Sequence, residues 1–386
     1  MVFNRTRPNR RWRASPPVYR RKYHSYRSRS RRPRLVSLVG LFLVAVALVA
    51  TLAFRFLYTP AGAGADRLVL IPQGSGTPRI AQILADEHLI RSAFGFRLLA
   101  RLDKADAMLR AGEYNLSPAM RPLAILRKLV KGEVVTYPVT IPEGFTVARI
   151  GMLLEEKGYF TRQAFDEAVR RAYDDASSTT AGGGAGTAST AGSTAAYGFP
   201  MPPKNPAYKS PLEGYLFPET YLYYKGMKPD EMVKAMLTNL DHALDAKDKE
   251  RAAQQKMSIH DLLTLASIVE KEAQVPSERP IIAAVYLNRL RIGMALDADP
   301  TIKYALDEPG KIVTLQDLEV VSPYNTYKNA GLPPGPIGNP GKPSIEAVLW
   351  PANVNYLYFV AKGDGTHAFA STLDEHNRNV ARYGPR

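Results

Sequence analysis

From residue 35 to residue 54 the chain reads LVSLVGLFLVAVALVATLAF, without a single charge. At about 1.5 Å per residue such a run matches a hydrocarbon layer roughly 30 Å thick, which predicts a transmembrane helix over 35–57. Beyond it the apolar positions fall into shorter patterns. Residues 68–71 and 139–141 alternate as strands do, each run turns at Pro-x-Gly, and each then enters helical spacing, at Ile80, Ile83 and Leu84 or at Ile150, Leu153 and Leu154. The two segments align without gaps at an offset of 70 residues: Ile71-Pro72-Gln73-Gly74 with Ile141-Pro142-Glu143-Gly144, and Arg79-Ile80 with Arg149-Ile150. Two copies of a strand-helix unit are therefore expected. The first continues through a helix over 93–102, a strand at Ala111-Gly112-Glu113-Tyr114 and a helix over 122–131, closing a module over 66–133.

A further helix is expected from the N-cap Ser258, with Asp261 three residues on, to a point before Pro276. Leu262, Leu265, Ala266, Val269 and Ala273 form its apolar stripe, while Thr264, Ser267, Lys271 and Gln274 are expected to face away. Glu270 and Glu272 edge the stripe on opposite flanks, roughly 200° apart. Apolar neighbours raise a carboxyl's pKa, so either suits an acid that keeps its proton near neutrality. Periodicity leaves open which of the two faces a cleft.

Charge changes the picture at one end only. Of the formal net charge of +15, residues 1–34 carry 13 Lys and Arg and no acid, so +15 − 13 = +2 remains for everything after. Basic flanks stay in the cytoplasm, so 1–34 reads as a cytoplasmic tail rather than a nucleic-acid arm, and the rest is expected on the far side of a bacterial inner membrane as a single-pass protein. With Cys 0, neither disulfides nor thiolate chemistry are available. Residues 176–196, all small and uncharged, are expected to be a disordered insertion. The six histidines show no metal-ligand spacing and no phosphate-cradling loop is present, so neither metal nor cofactor is expected. The fold class expected is α+β: the membrane helix, the strand-helix module, then a mixed α/β catalytic domain over 134–386.

Three dense motifs follow the insertion: Leu212-Glu213-Gly214-Tyr215-Leu216-Phe217-Pro218-Glu219, Leu265-Ala266-Ser267-Ile268-Val269-Glu270-Lys271-Glu272, and Tyr324-Asn325-Thr326-Tyr327 leading into the Gly/Pro-rich 331–340. With Asp299-Pro300-Thr301 and Tyr356-Leu357-Tyr358-Phe359-Val360, they resemble the endolytic murein transglycosylase (YceG-like) family across nearly all of 68–383. The resemblance implies a LysM-like first module and an enzyme acting on peptidoglycan glycan strands. It would cleave the MurNAc-β-1,4-GlcNAc bond without water, leaving 1,6-anhydro ends and limiting strand length. It also implies that Glu272 is the catalytic acid, with Glu270 supporting it, and that a tyrosine of the Tyr324-Asn325-Thr326-Tyr327 motif enters the cleft, either Tyr324 or Tyr327. Glu213, Tyr324, Asn325 and Tyr327 are the candidate substrate contacts, and cell-wall synthases or division proteins the candidate partners. Asp297 stands where the family usually has Gln, which leaves its role open. Two alternatives remain: a hydrolytic muramidase using Glu213, Asp297 or Asp299 as second carboxylate, and a non-catalytic glycan-binding scaffold.

Overall fold

The computed structural model describes residues 32–178 and 197–384. The chain divides into two compact units, Met1–Thr59 and Pro60–Arg386.

In the first unit the apolar run folds as helix α1 (Arg32–Tyr58). Among the described residues, however, no helix is long and apolar enough to cross a membrane, which corrects the expected transmembrane helix over 35–57. The basic tail falls almost wholly outside the described residues.

The second unit opens with β1 (Arg67–Ile71), α2 (Thr77–Asp86), α3 (Ala93–Leu102), β2 (Gly112–Leu116) and α4 (Pro122–Lys131). β1 and β2 pair antiparallel, Val69 opposite Tyr114. Ser92 caps α3 by accepting from the Gly95 N–H, and Pro122 opens α4 at a position where no intrahelical N–H is needed. Ile80, Leu84, Phe96, Leu99, Tyr114 and Ile125 give this module its own buried core.

The chain then repeats the plan. β3 (Tyr137–Thr140), α5 (Val147–Glu156) and α6 (Arg162–Ser178) are followed, after the segment 179–196, by β4 (Thr220–Tyr223) and α7 (Pro229–Ala243). β3 and β4 pair antiparallel as β1 and β2 do, and α7 opens on a proline as α4 does. The repeat visible in sequence as strand and helix is thus a full β-α-α-β-α unit, its second copy stretched by the insertion. Three residues expected in that insertion, Ala176, Ser177 and Ser178, form the last turn of α6, and the remainder lies outside the described residues.

The rest of the chain is mainly helical: α8 (Ala246–Gln254), α9 (Ile259–Glu272), α10 (Arg279–Arg291), α11 (Asp299–Leu306) and α12 (Lys342–Leu349), then the hairpin β5 (Tyr358–Ala361) and β6 (His367–Ala370), and α13 (Leu373–Tyr383). α9 is central, packed against α8, α10, α11 and α12. Its capping box is the expected one, Ser258 accepting from the Asp261 N–H and Asp261 accepting from the Ser258 N–H. Because it is surrounded, Thr264 and Ser267 are buried rather than outward-facing. Thr264 Oγ1 donates to the His260 carbonyl, and Ser267 Oγ donates to the Thr264 carbonyl and accepts from the Ile337 N–H. Leu262, Leu265 and Val269 are fully buried in the shared core, each contributing about 2 kcal/mol of apolar burial before entropy is counted.

Candidate active site

The C-terminal turn of α9 delivers three charged side chains in succession, and neighbours separate their roles. Glu270 points to α12. Its Oε2 accepts from Ser344 Oγ at 2.7 Å and from the Gly341 N–H at 3.2 Å, and Arg279 lies 3.6 Å from its Oε1. It is a strut joining α9, α10 and the start of α12.

Among the described residues Glu272 has one hydrogen-bond partner, Tyr286 Oη of α10, which donates to Oε1 at 2.9 Å. Tyr286 is fully buried, edge-on to Phe359 of β5. The protein around Glu272 pushes its pKa up to about 7, chiefly by desolvation; the Tyr286 bond opposes this, the nearby Asp299 carboxylate adds to it, and Lys303 and Arg289 oppose it. A position at the negative end of the α9 dipole also favours the protonated form. Glu272 is half-buried as a residue, with its carboxyl anchored by Tyr286.

Within electrostatic reach stands a second pair. Tyr327 Oη donates to Asp299 Oδ1 at 2.6 Å, and Tyr327 also lies within electrostatic reach of Glu272, which helps hold its phenol protonated. Tyr327 is half-buried and Asp299 exposed at the first residue of α11. Of the candidate motif, Tyr327 alone joins this group. Tyr324 is buried against Tyr304, ring centroids 4.9 Å apart. Asn325 is fully buried and its amide is occupied by backbone: Nδ2 donates to the Leu318 and Val320 carbonyls at 2.8 Å, and Oδ1 accepts from the Tyr327 N–H at 3.0 Å. It shapes the loop that presents Tyr327.

Glu213 is buried, Oε1 accepting from the Val147 N–H at 3.0 Å and Oε2 from Tyr304 Oη at 3.3 Å. Gly214 follows with φ +84, and a methyl there would collide with the Pro336 ring. The Glu-Gly pair lets the Gly/Pro loop approach closely. Burial pushes the Glu213 pKa from 4.5 to about 7. A raised carboxyl pKa stabilises the fold below the ordinary value, and that contribution is lost as pH rises through about 7. Glu213→Gln is therefore expected to flatten the decline in unfolding free energy between pH 5 and pH 8 by roughly 3 kcal/mol at most, read from denaturant midpoints at the two pH values.

Asp297, at φ +50, is held by Arg289 at 3.3 Å, and Arg289 is itself anchored to the Leu296 and Leu357 carbonyls. The like charge acting on Glu272 is thus that of Asp299. Sequence reading missed Tyr286, Asp299 as the partner of Tyr327, and Asn339. The last is fully buried, donates to the Phe145 carbonyl, accepts from the Leu216 N–H, and fixes the 331–340 loop. Tyr286 had a legible signal, since Ile282, Tyr286 and Arg289 share one helical face and all are buried. Among the described residues no cluster of His, Cys, Asp or Glu is arranged to hold a metal ion.

Residues 69–382 match the YceG-like family. Over 319 residues the chain is 34% identical to the endolytic murein transglycosylase of Bacillus subtilis, covering 81% of this chain and 83% of that protein. A Streptococcus pneumoniae protein of the same name is 32% identical over 331 residues, 81% of this chain but 57% of that longer protein. Among solved structures, a yceG-like protein from Listeria monocytogenes superposes with a TM-score of 0.53 at 35% identity, over 81% of this chain and 98% of the other.

Proposed function

The chain belongs to the YceG-like family, and on that premise we propose that it is an endolytic lytic transglycosylase of peptidoglycan, with Glu272 as its acid and base. The observation carrying this reading is a half-buried glutamate whose pKa is pushed up to about 7, steadied by one buried tyrosine and within electrostatic reach of Asp299 and Tyr327.

The geometry supports a two-stage reaction. Protonated Glu272 gives its proton to the oxygen bridging MurNAc and GlcNAc, the glycosidic bond breaks, and the GlcNAc-bearing strand leaves as an alcohol. Positive charge builds on the muramoyl ring, and in this reading the Asp299 carboxylate stabilises that charge while Tyr327 orients the ring. The muramoyl 6-hydroxyl then attacks its own anomeric carbon while Glu272, now ionised, takes that hydroxyl's proton. The product is a 1,6-anhydro end, no water is consumed, and the acid is regenerated. Because the nucleophile belongs to the same sugar, its effective concentration is high without an activated water.

One observation favours a second reading. Asp299 lies close enough to Glu272 to affect its protonation, which is the pairing a hydrolytic muramidase needs. Digestion of purified sacculi separates the two. Mass spectrometry of the new ends is expected to show anhydromuramoyl termini with the unaltered chain and none with Glu272→Gln; reducing ends in their place would favour hydrolysis.

The two β-α-α-β-α units support a further reading, in which residues 66–133 form a LysM-like glycan-holding module ahead of a catalytic region over 134–386. Nascent strands outside the cytoplasm are the substrate this implies, and cell-wall synthases the partners.

A further inference from the structure

The residue between the two glutamates of α9 lies within electrostatic reach of two carboxylates, Glu270 and Glu213, without pairing with either. Lys271 forms no ion pair or hydrogen bond among the described residues, although its stem is held in place. It lies along a floor made by two glycines: a methyl at Gly144 would sit 3.2 Å from its ammonium, and one at Gly338 would sit 3.5 Å from its Cε. That floor is rigid, since the Gly144 N–H donates to the Asn339 carbonyl at 2.7 Å and the Asn339 N–H to the Phe145 carbonyl at 2.8 Å. A second lysine, Lys303 of α11, lies within electrostatic reach of both Lys271 and Glu272 and is likewise unpaired among the described residues. Desolvation lowers the pKa of Lys271, the Glu270 and Glu213 carboxylates oppose this, and the like charge of Lys303 adds to it.

Charge balance within the fold does not account for the pair. Glu270 already has Arg279, Ser344 and the Gly341 N–H, and Glu213 is buried in a setting that favours its neutral form. We propose that Lys271 and Lys303 form a carboxylate-binding subsite beside Glu272 that recognises an acid group carried by the muramoyl residue. This rests on the transglycosylase reading above. Two sources supply that chemistry: the lactyl carboxylate of a muramic acid without its peptide, and a carboxylate of the attached peptide stem. GlcNAc carries none, so the subsite distinguishes the two alternating sugars and sets the register in which the bridging oxygen meets Glu272.

The test uses the full-length chain carrying Glu272→Gln, so that ligands survive. Dissociation constants are measured for three probes: glycan strands with peptide stems, the same strands after amidase treatment, and chitin oligosaccharides, which lack any carboxylate. Strands with at least one source of carboxylate are expected to bind about tenfold more tightly than chitin oligosaccharides at low salt, an advantage that shrinks as salt rises. Lys271→Met and Lys303→Gln are each expected to reduce that advantage about threefold while leaving chitin binding in place. Lys271→Arg and Lys303→Arg retain the charge and are expected to retain most of the preference. Loss confined to stem-bearing strands assigns the acid to the peptide, and loss confined to amidase-treated strands assigns it to the lactyl group. Unchanged preference in both neutral variants, or equal weakening of all three probes, overturns the subsite. If the unaltered chain makes no anhydro ends, the transglycosylase reading fails on its own, whatever these constants show.

Discussion

Glu272→Gln is expected to lower kcat on glycan strands by about 10^3-fold with little change in KM. The amide keeps the shape and still accepts from Tyr286 Oη, so substrate docking and fold are preserved, but it has no proton of suitable acidity to give and cannot take one back. The unaltered chain is expected to show the matching pH profile. The active form is the protonated one, so kcat/KM holds below about pH 7 and falls roughly tenfold per unit above it, as Glu272 ionises. A variant that keeps more than a tenth of the activity, or a flat profile through pH 8.5, would place the acid elsewhere.

Asn325→Ala is expected to act first on stability, by about 3 kcal/mol. It strips partners from the Leu318 and Val320 carbonyls and from the Tyr327 N–H at a fully buried position, and buried polar groups left unpaired cost about 1–3 kcal/mol each. Released from that bond, Tyr327 no longer presents its hydroxyl to Asp299, and kcat is expected to fall about tenfold as well. Denaturant unfolding with steady-state kinetics on the same preparation checks both. A substrate contact at Asn325 would instead raise KM and leave the unfolding midpoint in place.

Where a helix is bounded by its own local signals, the amino-acid sequence was explicit. The spans of α3 and α4, the cap of α9 and the offset of 70 residues between α2 and α5 all follow from apolar period, capping residues and Pro-Gly punctuation, and all are present. Local signals fail where a partner comes from far along the chain. α9 has apolar neighbours on nearly every side, so Thr264 and Ser267 are buried despite a pattern that turns them outward, their hydroxyls bonded to backbone of α9 and of the distant loop at Ile337. The second repeat hid its closing strand because the insertion places β4 about 80 residues from β3, and strand pairing carries no mark of sequence distance. At the site, the triplet Glu270-Lys271-Glu272 was conspicuous but its division of labour was not. Only the positions of Arg279, Ser344, Tyr286 and Asp299 reveal which carboxyl is tied down and which is held ready. Tyr324 and Tyr327 likewise differ by three residues in sequence, yet one packs on Tyr304 and the other bonds Asp299.

The most direct test of Glu272 as a lone acid and base is to run the reaction in water enriched in 18O and weigh the new muramoyl ends. Intramolecular attack by the 6-hydroxyl predicts anhydro ends carrying no heavy oxygen. Reducing ends that each gain one 18O, and that vanish in Asp299→Asn, would contradict it by showing that water is the nucleophile and that two carboxylates share the work.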